Sequence, residues 1–397
     1  MMIASASPKL VMSRDEDLGG ERRPRSGLLA GKTGLLPRQE IRKLVHRHVL
    51  RATEELREAQ FQPASLDLRL GSKAYRVRAS FLPGRTKTVE EQLQELQFDE
   101  INLDDGAVLE RGCVYVVELI EHLHLPEIIA AIANPKSSTG RLDIFTRLIA
   151  DRSEIFDNVP GGYEGRLYAE VSPRSFSIKA RRGSRLNQIR FRRRNSQHDE
   201  HAYTPLTDRE LRELHARTLL VDGELQVRHG LVLRVELGGI GAERLVGYRA
   251  QRHTDVIDVD RVGTYKVEDF WELVRARADG RLILDPNEFY ILASKERLHI
   301  PPAYAAEMIP IAPEMGEFRV HYAGFFDPGF GFTEEGRPGS RGVLEVRSHE
   351  VPFLLEDGQM VGRLAYERMA EEPDGLYGRI GTSNYQGQEL KLSKHFA

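Results

Sequence analysis

The segment Lys136-Ser137-Ser138-Thr139-Gly140-Arg141 carries the residue types that grip a dense anion. The Ser137 and Ser138 hydroxyls, with loop amides left accessible near Gly140, donate neutral hydrogen bonds. Arg141 offers a bidentate, charge-assisted fork, and Lys136 adds a point charge. The chain also looks duplicated, and one copy lacks this loop. Leu123-His124-Leu125-Pro126 recurs as Leu298-His299-Ile300-Pro301, an offset of 175 (298 − 123). At that offset Tyr115, Arg166, Glu170 and Gly183 map onto Tyr290, Arg341, Glu345 and Gly358. The cationic loop falls on Ile311-Ala312-Pro313-Glu314-Met315-Gly316, which has none of its donors. Divergence at a polar loop predicts an active site divided between the copies.

The second copy supplies the complementary groups. Asp327 stands in Ala323-Gly324-Phe325-Phe326-Asp327-Pro328-Gly329-Phe330, Glu345 in an apolar run, and Tyr377, Asn384 and Gln388 in a polar tail. Each has an ordinary alternative. The loop reads as a polar turn with a surface arginine, and Asp327 as an Asx-type turn. Glu345 reads as an outward strand carboxylate, and the tail as disordered. Cys113 is the single cysteine, so a Cys-x-x-Cys metal site cannot be built from this chain. His46, His48, His122 and His124 show no ligand spacing, and no metal is assigned.

These residues need elements to hold them. Short apolar runs bounded by turn residues dominate: Cys113–Leu119, Ile128–Ala133, Arg166–Val171 and Leu186–Phe191, then Phe289–Ala293, Met308–Ala312, Val343–Val346 and Met360–Tyr366. Many alternate apolar with polar, as half-buried strands do. Helical periodicity is confined to Arg38–His48, Val89–Leu96, Asp208–Ala216 and Val267–Ala276. The fold class expected is mainly β, two tandem barrel- or jelly-roll-like units with a few short helices. A chain of 397 residues with 40% hydrophobic content accommodates two cores. Residues 1–27 are expected to be a flexible tail, 28–200 the first repeat and 201–397 the second, with the boundary in the polar stretch Asn195–Asp208.

Net charge is −3, which argues against a general nucleic-acid coat. The Arg-dense run from Arg174 to Arg194 reads as a solvated strand and connector, with a polyanion patch as the lesser reading. No run of about 18 apolar residues spans a membrane, and the first residues lack the apolar core of a secretory signal. The expected compartment is the cytoplasm.

Taken with Pro63-Ala64-Ser65-Leu66-Asp67-Leu68-Arg69-Leu70-Gly71, these motifs resemble the dCTP deaminase family of the dUTPase-like superfamily, in a long duplicated form. The likeness runs over roughly residues 28 to 397, with four motifs in the family's order. It implies hydrolytic deamination of dCTP to dUTP and ammonia, without zinc, with magnesium carried on the nucleotide. It implies that Lys136, Ser137, Ser138 and Arg141 bind phosphate, and that Asp327 accepts from the deoxyribose 3′-hydroxyl. The Ala323 backbone would border the base, with Phe330 packing below. Tyr377, Asn384 and Gln388 would form a lid, and Glu345 would shuttle protons, with its repeat partner Glu170 as rival. Two departures stand out. Lys136 replaces the family's arginine, and Asn384 replaces its lid lysine, leaving Lys391 and Lys394 as the nearest cations. The first copy's Asp157-Asn158-Val159-Pro160-Gly161 looks like a worn nucleoside site.

The further expectations are a homo-oligomer with trimer-like packing of repeats, dTTP as a candidate effector, and neither nucleic acid nor membrane as partner. The same fold also serves dUTP diphosphatases and bifunctional enzymes forming dUMP. A non-catalytic nucleotide-binding assembly protein is the reading from another class.

Overall fold

The structure, a computed structural model, describes residues 32–194, 204–310, 318–321, 324–348, 350–381 and 383–397. The expected tail 1–27, residues 195–203 of the expected boundary, Ala323 and the Ile311–Gly316 counterpart of the cationic loop lie outside these residues. The apolar runs fall in strands: Val114–His124, Ile129–Pro135, Glu164–Pro173 and Asn187–Arg193, then Phe289–Leu298, Tyr304–Pro310, Ser340–Ser348 and Met360–Arg368. Among the described residues no helix is long and apolar enough to cross a membrane.

The two halves repeat one topology. In the first, Val114–His124 and Ile144–Ala150 flank Glu164–Pro173, while Asn187–Arg193 pairs with Ile129–Pro135. In the second, Phe289–Leu298 and Phe318–His321 flank Ser340–Ser348, while Met360–Arg368 pairs with Tyr304–Pro310. Side-chain detail repeats as well. The Arg69 amide and Nε bond the two carboxylate oxygens of Glu121 at 2.8 and 2.7 Å. Arg234 does the same to Glu296 at 2.9 and 2.7 Å. Tyr115 Oη accepts from the Glu110 amide at 2.9 Å, and Tyr290 Oη from the Asp285 amide at 3.1 Å. A buried charge is tolerated only with its partner in place, so each copy keeps the pair intact.

Three of the expected helices form. Arg38–His46 starts after Pro37, and Val89–Leu96 and Asp208–Arg217 start at Thr88 and Thr207, each closing a capping box with the glutamate three residues on. The fourth, expected over Val267–Ala276, does not. The chain makes one 3₁₀ turn, Val267–Asp269, and then the strand Trp271–Arg275. Lys266 provides no side-chain cap. Burial of Trp271 decides the rest: its indole packs 5.4 Å from Phe176, 6.1 Å from Phe289 and 5.9 Å from Phe396, centroid to centroid. The strand aims the indole into that cluster.

The Arg174–Arg194 run is not simply a solvated connector. Arg174 and Arg182 are exposed, but Arg181, Arg190 and Arg192 join the halves. Arg190 is 1% exposed and donates to Ala306 O (3.0 Å), Phe326 O (3.0 Å) and Asp327 Oδ1 (2.8 Å). Arg192 pairs with Glu367 (2.8 Å), and Arg181 with Asp258 (2.6 Å). Beside that last pair, Ile257–Asp258 adds a parallel strand to Ile178–Ala180. The charge pattern looked solvated because its partners lie 77 to 175 residues away in sequence.

Arg190→Met would leave Asp327 buried without its cation. The expected loss is about 3–5 kcal/mol at pH 8. It should shrink as pH falls, because the unpaired carboxyl is then protonated. Denaturant titrations at pH 8 and pH 5 check this, and a pH-independent loss contradicts it.

Candidate active site

One cleft collects the chemistry foreseen from both copies. Lys136, Ser137, Ser138 and Arg141 line it from the first half, and Asp327, Glu345, Tyr377, Asn384 and Gln388 from the second. Its empty space, counted out to open solvent, is about 970 Å³. Both contributions come from one polypeptide.

The cationic loop follows the strand Ile129–Pro135. After the Lys136 amide bonds Leu186 O (2.9 Å), the chain winds through the single turn Ser137–Gly140. Gly140 is needed for close approach. A Cβ placed there would collide with the carboxylate of Glu345, inside any real contact distance. The loop backbone thus meets the carboxylate directly.

Glu345 sits mid-strand between Ile291 and His321 in register and is 7% exposed. Burial raises its pKa well above the ordinary glutamate range; Arg141 opposes that shift and Asp143 adds to it. Burial likewise raises Asp327 against the pull of Arg190. Asp327 gives one oxygen to Arg190 while lining the cleft, so it is more than a local Asx turn. Burial pushes Lys136 down, countered by its ion pair with Asp67. Phe330 stands edge-on to Phe326, centroids 5.2 Å apart, and tilted against Tyr377 at 5.6 Å.

The polar tail is folded, not disordered. Gln388 accepts from Arg141 Nη2 at 3.0 Å and donates to Arg341 O at 2.8 Å. Arg141 Nη1 donates to Lys391 O at 2.9 Å, so its fork is held by the tail. Tyr377 Oη accepts from the Tyr385 amide (3.1 Å). Asn384 lines the cleft, and its carbonyl accepts from Lys391 Nζ (3.0 Å).

Glu170 is placed elsewhere. It is 1% exposed and paired with Arg147 at 2.8 Å, and that guanidinium lies 3.5 Å over the Phe156 ring. Glu170 does not line this cleft. The first copy's Asp157 bonds its own hairpin, accepting from the Leu148 amide at 2.7 Å, and burial pushes it up to about 7.

Sequence reasoning missed several contributors. Tyr385 lies 3.8 Å beneath the Arg141 guanidinium. Asp67 holds Lys136 and accepts from Arg185 at 3.3 Å. Arg190 anchors Asp327 from the far half. Asp67 lay inside a quoted motif without a role, and Arg190 was hidden among other arginines.

The folded halves define a mainly β protein of two tandem dUTPase-like repeats. Residues 32–195 match the family described as 2'-deoxycytidine 5'-triphosphate deaminase (DCD) N-terminal domain, and residues 207–396 match its C-terminal domain. A crystal structure of 2'-deoxycytidine 5'-triphosphate deaminase from Agrobacterium tumefaciens superposes with a TM-score of 0.81 at 55% identity, covering 85% of this chain and 99% of that one. Shorter relatives match about one repeat. "dCTP deaminase" of Metallosphaera sedula is 30% identical over 35% of this chain and 73% of its own. "dCTP deaminase, dUMP-forming" of Persephonella marina is 28% identical over 40% of this chain and 82% of its own. The chain belongs to the dCTP deaminase family, in its long, duplicated form.

A raised carboxyl pKa is a stability cost above the unfolded-state pKa, because the native state binds the proton more tightly. Glu345→Gln removes that cost. The variant should be more stable than wild type by about 0.5–2 kcal/mol at pH 8, with the gain vanishing near pH 4. Urea midpoints at the two pH values test this, and an equal gain at both contradicts it.

Proposed function

We propose that this chain hydrolyses dCTP to dUTP and ammonia in the cytoplasm, with one composite site in each polypeptide. The observation that carries this reading is the meeting of the Lys136–Arg141 loop with buried Glu345 in one cleft. Ser137, Ser138, Lys136 and Arg141 hold the triphosphate, whose magnesium travels with the substrate. Asp327 takes the 3′-hydroxyl on the oxygen not given to Arg190, above the Phe326–Phe330 pair. Tyr377, Asn384 and Gln388 close over the nucleotide.

Glu345 handles the protons. A carboxylate in a dry site with raised proton affinity can take a proton from water as the oxygen bonds C4 of cytosine. It passes that proton to N3 and then conveys a second from the new hydroxyl to the leaving amine. The C4–N bond breaks, ammonia departs and the carboxylate is restored. A single cysteine at position 113 cannot build the Cys-x-x-Cys metal centre of zinc deaminases. Cys113 instead contacts Arg76 at 2.8 Å.

The second reading adds diphosphate release to give dUMP, and the printed name of the Persephonella marina relative favours it. Incubation with dCTP and Mg²⁺ separates the two. Ammonia with dUTP supports deamination alone, equimolar pyrophosphate and dUMP support both steps, and no ammonia refutes the proposal. Glu345→Gln should lower turnover about 10²–10⁴-fold while still binding dCTP. Gly140→Ala should displace the carboxylate and cost about 10²-fold in rate, with the unfolding midpoint nearly unchanged. Full activity in Gly140→Ala would mean that the contact is incidental.

A further inference from the structure

Behind the phosphate loop lies a second, polar cavity that none of the motifs explains. It opens beside the first, sharing Lys136 and Ser138, and is completed by Arg185, Asp260 and Lys394 among others. Three cations face it. Two of them, Lys136 and Arg185, share the single carboxylate of Asp67. Asp260 is engaged by Arg181 (2.7 Å) and Ser184 (2.6 Å).

Lys394 is the third cation, and its ammonium has no hydrogen-bond or ion-pair partner among the described residues. Its backbone, by contrast, is clamped. The Lys394 amide donates to Tyr385 Oη at 3.2 Å, and its carbonyl accepts from the Gly263 amide at 3.0 Å. On one side Ser393 Oγ donates to Ser138 O at 2.8 Å, tying this stretch to the loop. On the other, His395 Nε2 meets Val259 O at 2.9 Å. Desolvation, with Lys136 and Arg185 nearby, lowers the proton affinity of Lys394, and Asp67 and Asp260 partly oppose that shift. A half-buried ammonium without a hydrogen-bond partner, on a fixed backbone, costs free energy unless an anion takes its donors.

We infer that Lys394, with Lys136 and Arg185, forms a phosphoryl subsite that receives the terminal phosphate of the nucleotide and so makes the enzyme selective for triphosphates. This rests on the nucleotide reading of the main cleft. The cation missing from the lid at Asn384 is thereby supplied ten residues later (394 − 384) from the opposite side of the loop. Lys391 does not fill that role, since its ammonium is exposed and bonded to Asn384 O at 3.0 Å.

The test uses the full chain carrying Glu345→Gln, so that bound nucleotide is not turned over, and titrates dCTP, dCDP and dCMP by calorimetry. Adding Lys394→Met should weaken dCTP about 10–100-fold, the size of one lost charge-assisted hydrogen bond. Binding of dCDP and dCMP should be unchanged, which also shows the site still folded, and Lys394→Arg should restore dCTP. Equal weakening of all three nucleotides, or of none, overturns the assignment. So does inorganic phosphate that binds alongside saturating dCTP and is lost in Lys394→Met, since the cavity would then hold a separate anion. If the Glu345→Gln protein binds dCMP as tightly as it binds dCDP and dCTP, the subsite fails alone. If it binds none of the three, the dCTP reading fails and the subsite with it.

Discussion

The buried ion pair between Arg190 and Asp327 is the constraint on which the rest of the molecule depends. Neither half holds a complete cleft. One strand of the first half, Asn187–Arg193, sends a guanidinium into the second, where it meets two carbonyls and one carboxylate. Breaking such a pair leaves a charge in a medium that cannot solvate it, so the halves are fixed in one relative register. That register places the cationic loop against the strand bearing Glu345, and it also fixes the orientation of Asp327.

Inside this frame the cleft holds groups that would be costly anywhere else. Glu345 is a desolvated carboxyl, and Arg141, the cation that opposes its raised proton affinity, is occupied by Gln388 and Lys391 O. Lys136 is partly buried and shares Asp67 with Arg185. Structure elsewhere offsets the strain: paired Arg69–Glu121 and Arg234–Glu296, the aromatic cluster around Trp271, and a tail pinned by Ser393 and His395. Titratable groups shifted by desolvation beside a charged partner and gathered in one cleft, as Glu345, Asp327 and Lys136 are, mark a candidate working site.

Duplication explains why the two glutamates at one repeat position differ so much. Glu170 has Arg147 opposite it in register, and the guanidinium of the resulting ion pair is stacked on the Phe156 ring. Glu345 has no arginine at that place; its register partner is His321. The same strand position carries an ion-paired carboxyl in one copy and a desolvated carboxyl with raised proton affinity in the other. With the cationic loop kept in the first copy alone, each half is free to specialise.

Much of this was legible along the chain. Alternating apolar runs gave the strands, because burial on one face imposes a period of two. Thr88 and Thr207 marked helix starts through local capping, and the 175-residue offset exposed the duplication. The cationic loop, Asp327, Glu345 and the lid residues could be named from type and spacing. Contacts over long sequence separation were decided only by the folded chain. Val267–Ala276 has a helical pattern, yet Trp271 finds its aromatic neighbours only in a strand. The arginines before Arg194 look solvated until their acids arrive from the other half, and Lys394 gains meaning only beside Lys136 and Arg185. Local propensity and periodicity act over a few residues and are written in the sequence. Desolvation and charge pairing depend on what tertiary packing brings close, and that set the chemistry of the cleft.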